Sequence, residues 1–204
     1  SDVYKRQHQH DVLHHWIHLR QKQCKWPIMQ GVNLAPSEIK RYASPLAMLS
    51  LADDPAEQLM SAKQFVREKV GKFPRMVSAD HRYGHDKIRI GYLSSDLSMH
   101  AVSLLTVELY ETHDRNNFEV HAFCWSKEDG TPFRQRVKQA FDHFHAIGGL
   151  DDTAAAELIR AHEIDIIVDL QGLTGNARPN IVARGPAPIQ IAYLGYPGSS
   201  ALPY

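Results

Sequence analysis

KIRIGYLSSDLSMHAVSLL, residues 87–105, is the stretch that decides the fold. It begins as a buried strand and ends as an amphipathic helix. Ser94, Ser95, Asp96, Ser98 and one imidazole, His100, sit at the handover. In an open α/β sheet such a junction lies at the C-terminal edge of a strand, where ligands bind. The same grammar continues downstream. NFEVHAFCW reads as a second strand, and TPFRQRVKQAFDHF as a helix opened by Thr131 with Pro132 in its first turn. FHAIGG is a short strand, DDTAAAELIRAHEI a helix, DIIVDLQG an apolar strand, NARPNIVARG a helical turn or two, and IQIAYLGYPG a last strand. This alternation predicts an α/β fold, with a Rossmann-like parallel sheet of about five strands covered on both faces. Residues 87–204 are assigned to it.

Upstream the pattern is helical. In SPLAMLSLADDPAEQLMSAKQFVREKV, residues 44–70, Ser44 and Pro45 open a first short helix. Asp54 caps a second, with Pro55 at its first position and Leu59, Ala62, Phe65 and Val66 on its apolar face. Residues 71–86 lose periodicity and read as a linker, so 44–86 forms a helical segment plus linker. Residues 1–43 form a helical preface, with Val12, Trp16 and Leu19 along one face of a helix over 12–24. Two placements stay open for it: a hairpin packed on the sheet, or the end of a separate helical repeat region.

Composition narrows the class. Lys plus Arg and Asp plus Glu both number 23 in 204 residues, so global charge favours neither nucleic acid nor membrane. Residues 1–80 hold 12 basic and 8 acidic groups and residues 81–204 hold 11 and 15, an asymmetry too mild for a nucleic-acid site. Two distant cysteines, Cys24 and Cys124, make a disulfide framework unexpected and fit a reducing, cytoplasmic setting. No apolar run approaches a membrane span, and no leader pattern opens the chain. The start without Met and the stop after GYPGSSALPY suggest a piece of something longer. His14 and His18 have the spacing of a helical metal pair, but HHWIH lacks the glutamate of HExxH. No metal site is assigned, and no phosphate-loop glycine motif occurs.

Three strand exits carry the candidate chemistry. At the first, Asp96 or Ser98 is the expected helix cap, and His100 stands at a helix start whose dipole disfavours imidazolium. A neutral imidazole there accepts a proton from a hydroxyl or donates a hydrogen bond to a substrate oxygen. The second exit is VDLQGLTGNARPN, residues 168–180, where Asp169 and Gln171 end a strand and Gly172 and Gly175 bracket a turn. Asn176 is the candidate cap of the next helix, and Asp169 a candidate carboxylate facing the same cleft as His100. The third, GPAPIQIAYLGYPGSS over 185–200, bends at Gly195, Pro197 and Gly198 and offers Tyr196, Ser199 and Ser200.

These segments, taken in order over residues 40–204, resemble the N-terminal catalytic lobe of the O-linked N-acetylglucosamine transferase family, in its bacterial TPR-containing form. The resemblance implies a GT-B glycosyltransferase of two Rossmann-like lobes, with the active site between them. It implies UDP-N-acetylglucosamine as donor, inversion, protein Ser or Thr hydroxyls as acceptors, and no metal or other cofactor. The family's active-site histidine falls on His100. Its glycine-rich loop near sugar and acceptor falls on Gly172, Leu173, Thr174, Gly175 and Arg178, and its LGYPG turn on Tyr196, Pro197 and Gly198. Leu173 stands where the family usually has Tyr or His. Implied partners are a protein or peptide acceptor, the C-terminal catalytic lobe that holds uridine and pyrophosphate, and a TPR region. Two alternatives remain: a non-catalytic interaction or regulatory lobe, and a GT-B enzyme using another nucleotide sugar.

Overall fold

A computed structural model describes residues 15–28, 30, 31, 35, 37 and 43–202. The chain divides into two compact units, Ser1–Lys69 with Gly198–Ala201, and Val70–Pro197 with Leu202–Tyr204.

The first unit is helical. Residues 15–22 are α-helical, followed by α1 (Pro45–Leu51) and α2 (Pro55–Lys69). Ser44 Oγ accepts the Ala47 N–H and Asp54 Oδ1 accepts the Ala56 N–H, so both helices start where side-chain caps and prolines direct. Ile17, Ile28, Ala43, Ala47, Met48 and Ala52 form the small core. The expected face of the first helix is thereby corrected. Ile17 is the buried residue, whereas Trp16 and Leu19 are exposed and Val12 lies outside the described residues. One narrow face of a short helix meets this core, and Ile17 occupies it. The His14–His18 pair also falls partly outside the described residues.

The second unit is the α/β sheet. Its elements are β1 (Ile88–Ser94), α3 (Ala101–Glu111), β2 (Phe118–Cys124), α4 (Pro132–Gln139), β3 (His143–Ala146), α5 (Asp152–Ala161), β4 (Ile166–Asp169), α6 (Pro179–Val182) and β5 (Ile189–Ala192). All pairs are parallel, in the order β3-β2-β1-β4-β5. This is the Rossmann-like sheet expected from the alternation. Val120, Ala122 and Cys124 of β2 join Ile90, Tyr92 and Val168 beneath Val107 and Tyr110 of α3 and Val137 of α4. Tyr110 is fully buried, its ring 4.7 Å from Tyr92 and 4.6 Å from Phe141. Its hydroxyl bonds Thr106 Oγ1 at 2.7 Å, which satisfies the polar tip inside the core. The alternate residues of β2, His121 and Phe123, face the other side, where α5 buries Ala155, Ala156 and Ile159. Strands covered on both faces read as continuous apolar runs, which is why the sequence pattern was strong. Gly91 is dictated by that second face: a Cβ there would stand 2.9 Å from Ile167 Cδ1 and 3.0 Å from Phe123 Cε2.

Candidate active site

The strand order reverses between β1 and β4, so the loops leaving these two strands part to opposite faces and open a crevice at their C-terminal edge. His100 follows β1 and Gly172 follows β4, on that same edge. One residue ties the two loops together. Gln171 is 1% exposed, and its side-chain amide donates to Ser94 Oγ at 3.1 Å and to Asp96 Oδ2 at 2.5 Å. Asp96 in turn donates its backbone N–H to Ser94 Oγ and accepts the Ser95 hydroxyl on Oδ1. The polar run at residues 94–96 is therefore a closed network that sets the loop's shape.

Asp169 has an equally defined place. Its carboxylate is 4% exposed and accepts the backbone N–H of Gln171 at 2.9 Å and of Gly172 at 3.2 Å. It shapes the turn, and the carboxylate standing beside His100 is Asp96. Gly172 has φ 57°, and a Cβ on it would lie 2.7 Å from Tyr196 Cβ, so its missing side chain lets the third strand exit close on the second. A Cβ on Gly195 would run into the Leu170 carbonyl oxygen. Burial pushes the Tyr196 hydroxyl above its ordinary pKa. Thr174 Oγ1 bonds the Gln171 carbonyl at 3.0 Å, Leu173 is buried at 5% exposure, and a Cβ on Gly175 would meet nothing within 4 Å. Pro197 belongs to the second unit, while Gly198 is grouped with the helical unit.

His100 is itself the N-cap of α3. Its backbone is extended (φ −137°, ψ 152°), and its Nδ1 accepts the Val102 N–H at 3.2 Å. This corrects the expected cap, Asp96 or Ser98. Asp96 is held by Gln171 and Ser95, and the residue directly before the helix takes the cap. With Nδ1 accepting, the neutral ring carries its proton on Nε2, on a side chain 49% exposed. Asn176 is corrected in the same way. It adopts φ 59°, and α6 begins after Arg178 without a side-chain cap bond. Arg178 is a clamp: Nε meets Asp152 at 2.7 Å, and Nη2 and Nη1 donate to the carbonyls of Leu150 and Ile147 at 2.7 and 3.2 Å.

Beside these loops lies an open pocket of about 500 Å³, lined by Ser95, Asp96, Trp125, Ser126, Lys127, Asn176 and Arg178. The Trp125 indole donates to the Asn176 carbonyl at 3.0 Å, fastening the β2 exit to the β4 loop. Sequence reasoning passed over Trp125, Ser126 and Lys127. The signal was present, since WSK follows β2 directly and parallel strands deliver all their exits to one edge.

The fold and this edge define an open α/β protein with a polar, glycine-bent crevice at its switch point, the place where open α/β folds bind ligands. Residues 58–204 match the model of Glycosyl transferase family 41, and the chain belongs to that family. A curated relative from Arabidopsis thaliana, named "Probable UDP-N-acetylglucosamine--peptide N-acetylglucosaminyltransferase SEC", is 38% identical over 121 residues, which is 59% of this chain and 12% of the relative. The Caenorhabditis elegans "UDP-N-acetylglucosamine--peptide N-acetylglucosaminyltransferase" is 37% identical over 136 residues, 65% of this chain and 12% of that one. Among solved structures, an O-GlcNAc transferase of Thermobaculum terrenum, a lysine-to-methionine variant, superposes with a TM-score of 0.61 at 27% identity, covering 78% of this chain and 31% of its own. The chain thus spans about an eighth of the length of these curated relatives.

Proposed function

We propose that this chain is the acceptor- and sugar-side lobe of a GT-B, inverting glycosyltransferase that moves N-acetylglucosamine from UDP-N-acetylglucosamine to Ser or Thr hydroxyls of proteins. The observation that carries the reading is the coincidence of the family match over 58–204 with the switch-point crevice, since every strand exit that builds the crevice lies inside the matched region. The relatives' names supply donor and acceptor class. Transfer forms a bond from the hydroxyl oxygen to the anomeric carbon and breaks the bond from that carbon to the diphosphate. The hydroxyl proton leaves to a base or to solvent, and UDP departs.

In this reading the chain's own residues position and polarise. His100 presents Nε2–H to a sugar or acceptor oxygen, held in that tautomer by its cap bond to Val102. In this rotamer it is a hydrogen-bond donor, and proton removal falls to another group. The Gly172–Gly175 turn is placed toward the sugar, and Asp169 keeps that turn in shape by accepting the Gln171 and Gly172 N–H groups. Tyr196 and Pro197 border the acceptor side. The departing diphosphate is neutralised by a second, C-terminal lobe, and no metal is assigned to the step. A TPR region that selects acceptors and a cytoplasmic location belong to the same proposal. Among the described residues no helix is long and apolar enough to cross a membrane.

The test is transfer by the full-length protein that contains this chain, with a Ser/Thr peptide and UDP-N-acetylglucosamine, read as a peptide mass increase of one N-acetylhexosamine. Transfer from that donor is expected. A protein that modifies no peptide, or that uses only another nucleotide sugar, overturns the reading.

A further inference from the structure

Midway along β2, on the face turned away from α3 and α4, four histidines converge. His121 is 2% exposed, His143 is its register partner on β3, His145 lies two residues on, and His162 arrives from the C-cap of α5. The His145 and His162 rings are 4.2 Å apart between centroids, and those of His121 and His145 are 5.5 Å apart. His121 Nδ1 stands 3.2 Å from His145 Nε2. On its other side, His121 Nε2 is a buried nitrogen without a hydrogen bond, although a Glu119 carboxylate oxygen lies 3.3 Å from it. One nitrogen from each of His121, His145 and His162 fits within a span of 4.8 Å.

Aliphatic or aromatic packing does not need three imidazoles here, and burial deprives the His121 lone pair of water, with His145 and His162 half-buried beside it. A tetrahedral ion with bonds of about 2.1 Å to nitrogen sets its ligand atoms about 3.4 Å apart. The His121–His145 separation already matches that edge. We propose that His121, His145 and His162 form a binding site for one divalent transition ion of the zinc class. His121 binds through Nδ1, which fixes its proton on Nε2 and aims it at Glu119, the carboxylate–histidine–metal arrangement that orients ligating imidazoles. Imidazole nitrogen donors suit zinc, copper and nickel. A second grouping, Glu119, His121 and His143, is the weaker choice. Its carboxylate is already held by His143 at 2.8 Å and by Arg89 at 3.3 Å, and His143 is half-exposed. The ion joins β2, the edge strand β3 and the end of α5. None of its ligands lines the crevice, so the site is independent of the transfer reaction.

The experiment is a Zn²⁺ titration of the chain against a chromophoric chelator, with His8, His10, His14, His15 and His18 changed to Gln in every sample so that the N-terminal histidines do not compete. One equivalent bound and a higher Tm with Zn²⁺ are expected. H145Q and H162Q should each weaken binding by about 10-fold or more, with H143Q within about threefold of the parent, the scale on which ligand and supporting groups separate. The parent loaded with Co²⁺ should show the intense visible absorption of tetrahedral coordination, a readout independent of any variant's folding. No bound Zn²⁺ at micromolar concentration, an octahedral Co²⁺ spectrum, or affinity lost with H143Q and kept with H162Q overturns the assignment.

Discussion

Asp96 Oδ2 and His100 Nδ1 stand 3.7 Å apart at the head of α3, while the same Nδ1 accepts the Val102 N–H at 3.2 Å. One nitrogen therefore stands between two neighbours. As an acceptor it caps the helix, and the Asp96 carboxylate beside it is itself held by Gln171 and Ser95, so the setting of His100 depends on the whole β1 loop.

His100→Ala in the full-length enzyme should lower kcat/KM by roughly 10²-fold or more, the range for a lost positioned acid, base or donor. It should also cost about 1 kcal/mol through the lost cap. His100→Asn separates the two effects, because its amide caps the helix but does not reach as far as imidazole Nε2. Melting close to the parent with activity still depressed is the expected pair of results. Full activity in His100→Asn would remove the ring from the chemistry.

Gln171→Leu should destabilise the α/β unit by about 1–3 kcal/mol, because buried Ser94 and part-buried Asp96 both lose a donor. Urea unfolding measures it. A change below about 0.5 kcal/mol would mean that the two loops hold their shape independently.

Gly172→Ala and Gly175→Ala form a matched pair. The first meets Tyr196 Cβ and a φ of 57°, and should cost about 1–3 kcal/mol. The second meets nothing within 4 Å and should leave the melting temperature almost unchanged. Equal effects would refute the packed turn between the β4 and β5 exits.

Burial pushes His121 and His145 down to about 4, with neighbouring histidines adding to the shift and Glu119 opposing it at His121. His162 is lowered as well, again first by burial and then by His143 and Arg89. A buried neutral histidine contributes stability above its unfolded pKa of about 6.5, and that contribution is lost as pH falls through the window toward about 4. With chelator present, unfolding free energy should therefore decline between pH 6.5 and 4.5, by up to about 1.4 kcal/mol per pH unit for each histidine. His145→Phe should flatten the slope. Denaturant midpoints across this range decide it, and a level profile would contradict the buried neutral cluster.

The sheet was legible because its central strands are apolar on both faces and α4 carries Thr131 where a cap belongs, as α1 and α2 of the helical unit carry Ser44 and Asp54. The edge that gathers the strand exits was legible too, since polar and glycine residues collect where strands end. What stayed hidden depends on register. His121 and His143 become neighbours only once β2 pairs with β3, and His162 joins them only when α5 has packed. The cap of α3 was misjudged because aspartate and serine outrank histidine by propensity, while tertiary contacts from Gln171 claim Asp96 first. Trp125 was overlooked because it closes the NFEVHAFCW strand, and its indole bond to the Asn176 carbonyl forms only once β2 and β4 share a sheet.

Central placement of β1 has a kinetic consequence. Its pairing with β2 starts at Ile88↔Phe118, 30 residues on, but its pairing with β4 joins Ile90 to Ile166, 76 residues on. Closing the longer loop costs more entropy, so the β3-β2-β1 half should consolidate first and the β1–β4 seam last. The groups that line the crevice then meet near the end of folding, after the rate-limiting step. Gln171→Leu, which cuts this seam, should accelerate unfolding while leaving the refolding rate nearly unchanged, whereas Val120→Ala in the early half should slow refolding. Stopped-flow chevrons of the two variants read the order directly, and a refolding limb slowed equally by both would reverse it.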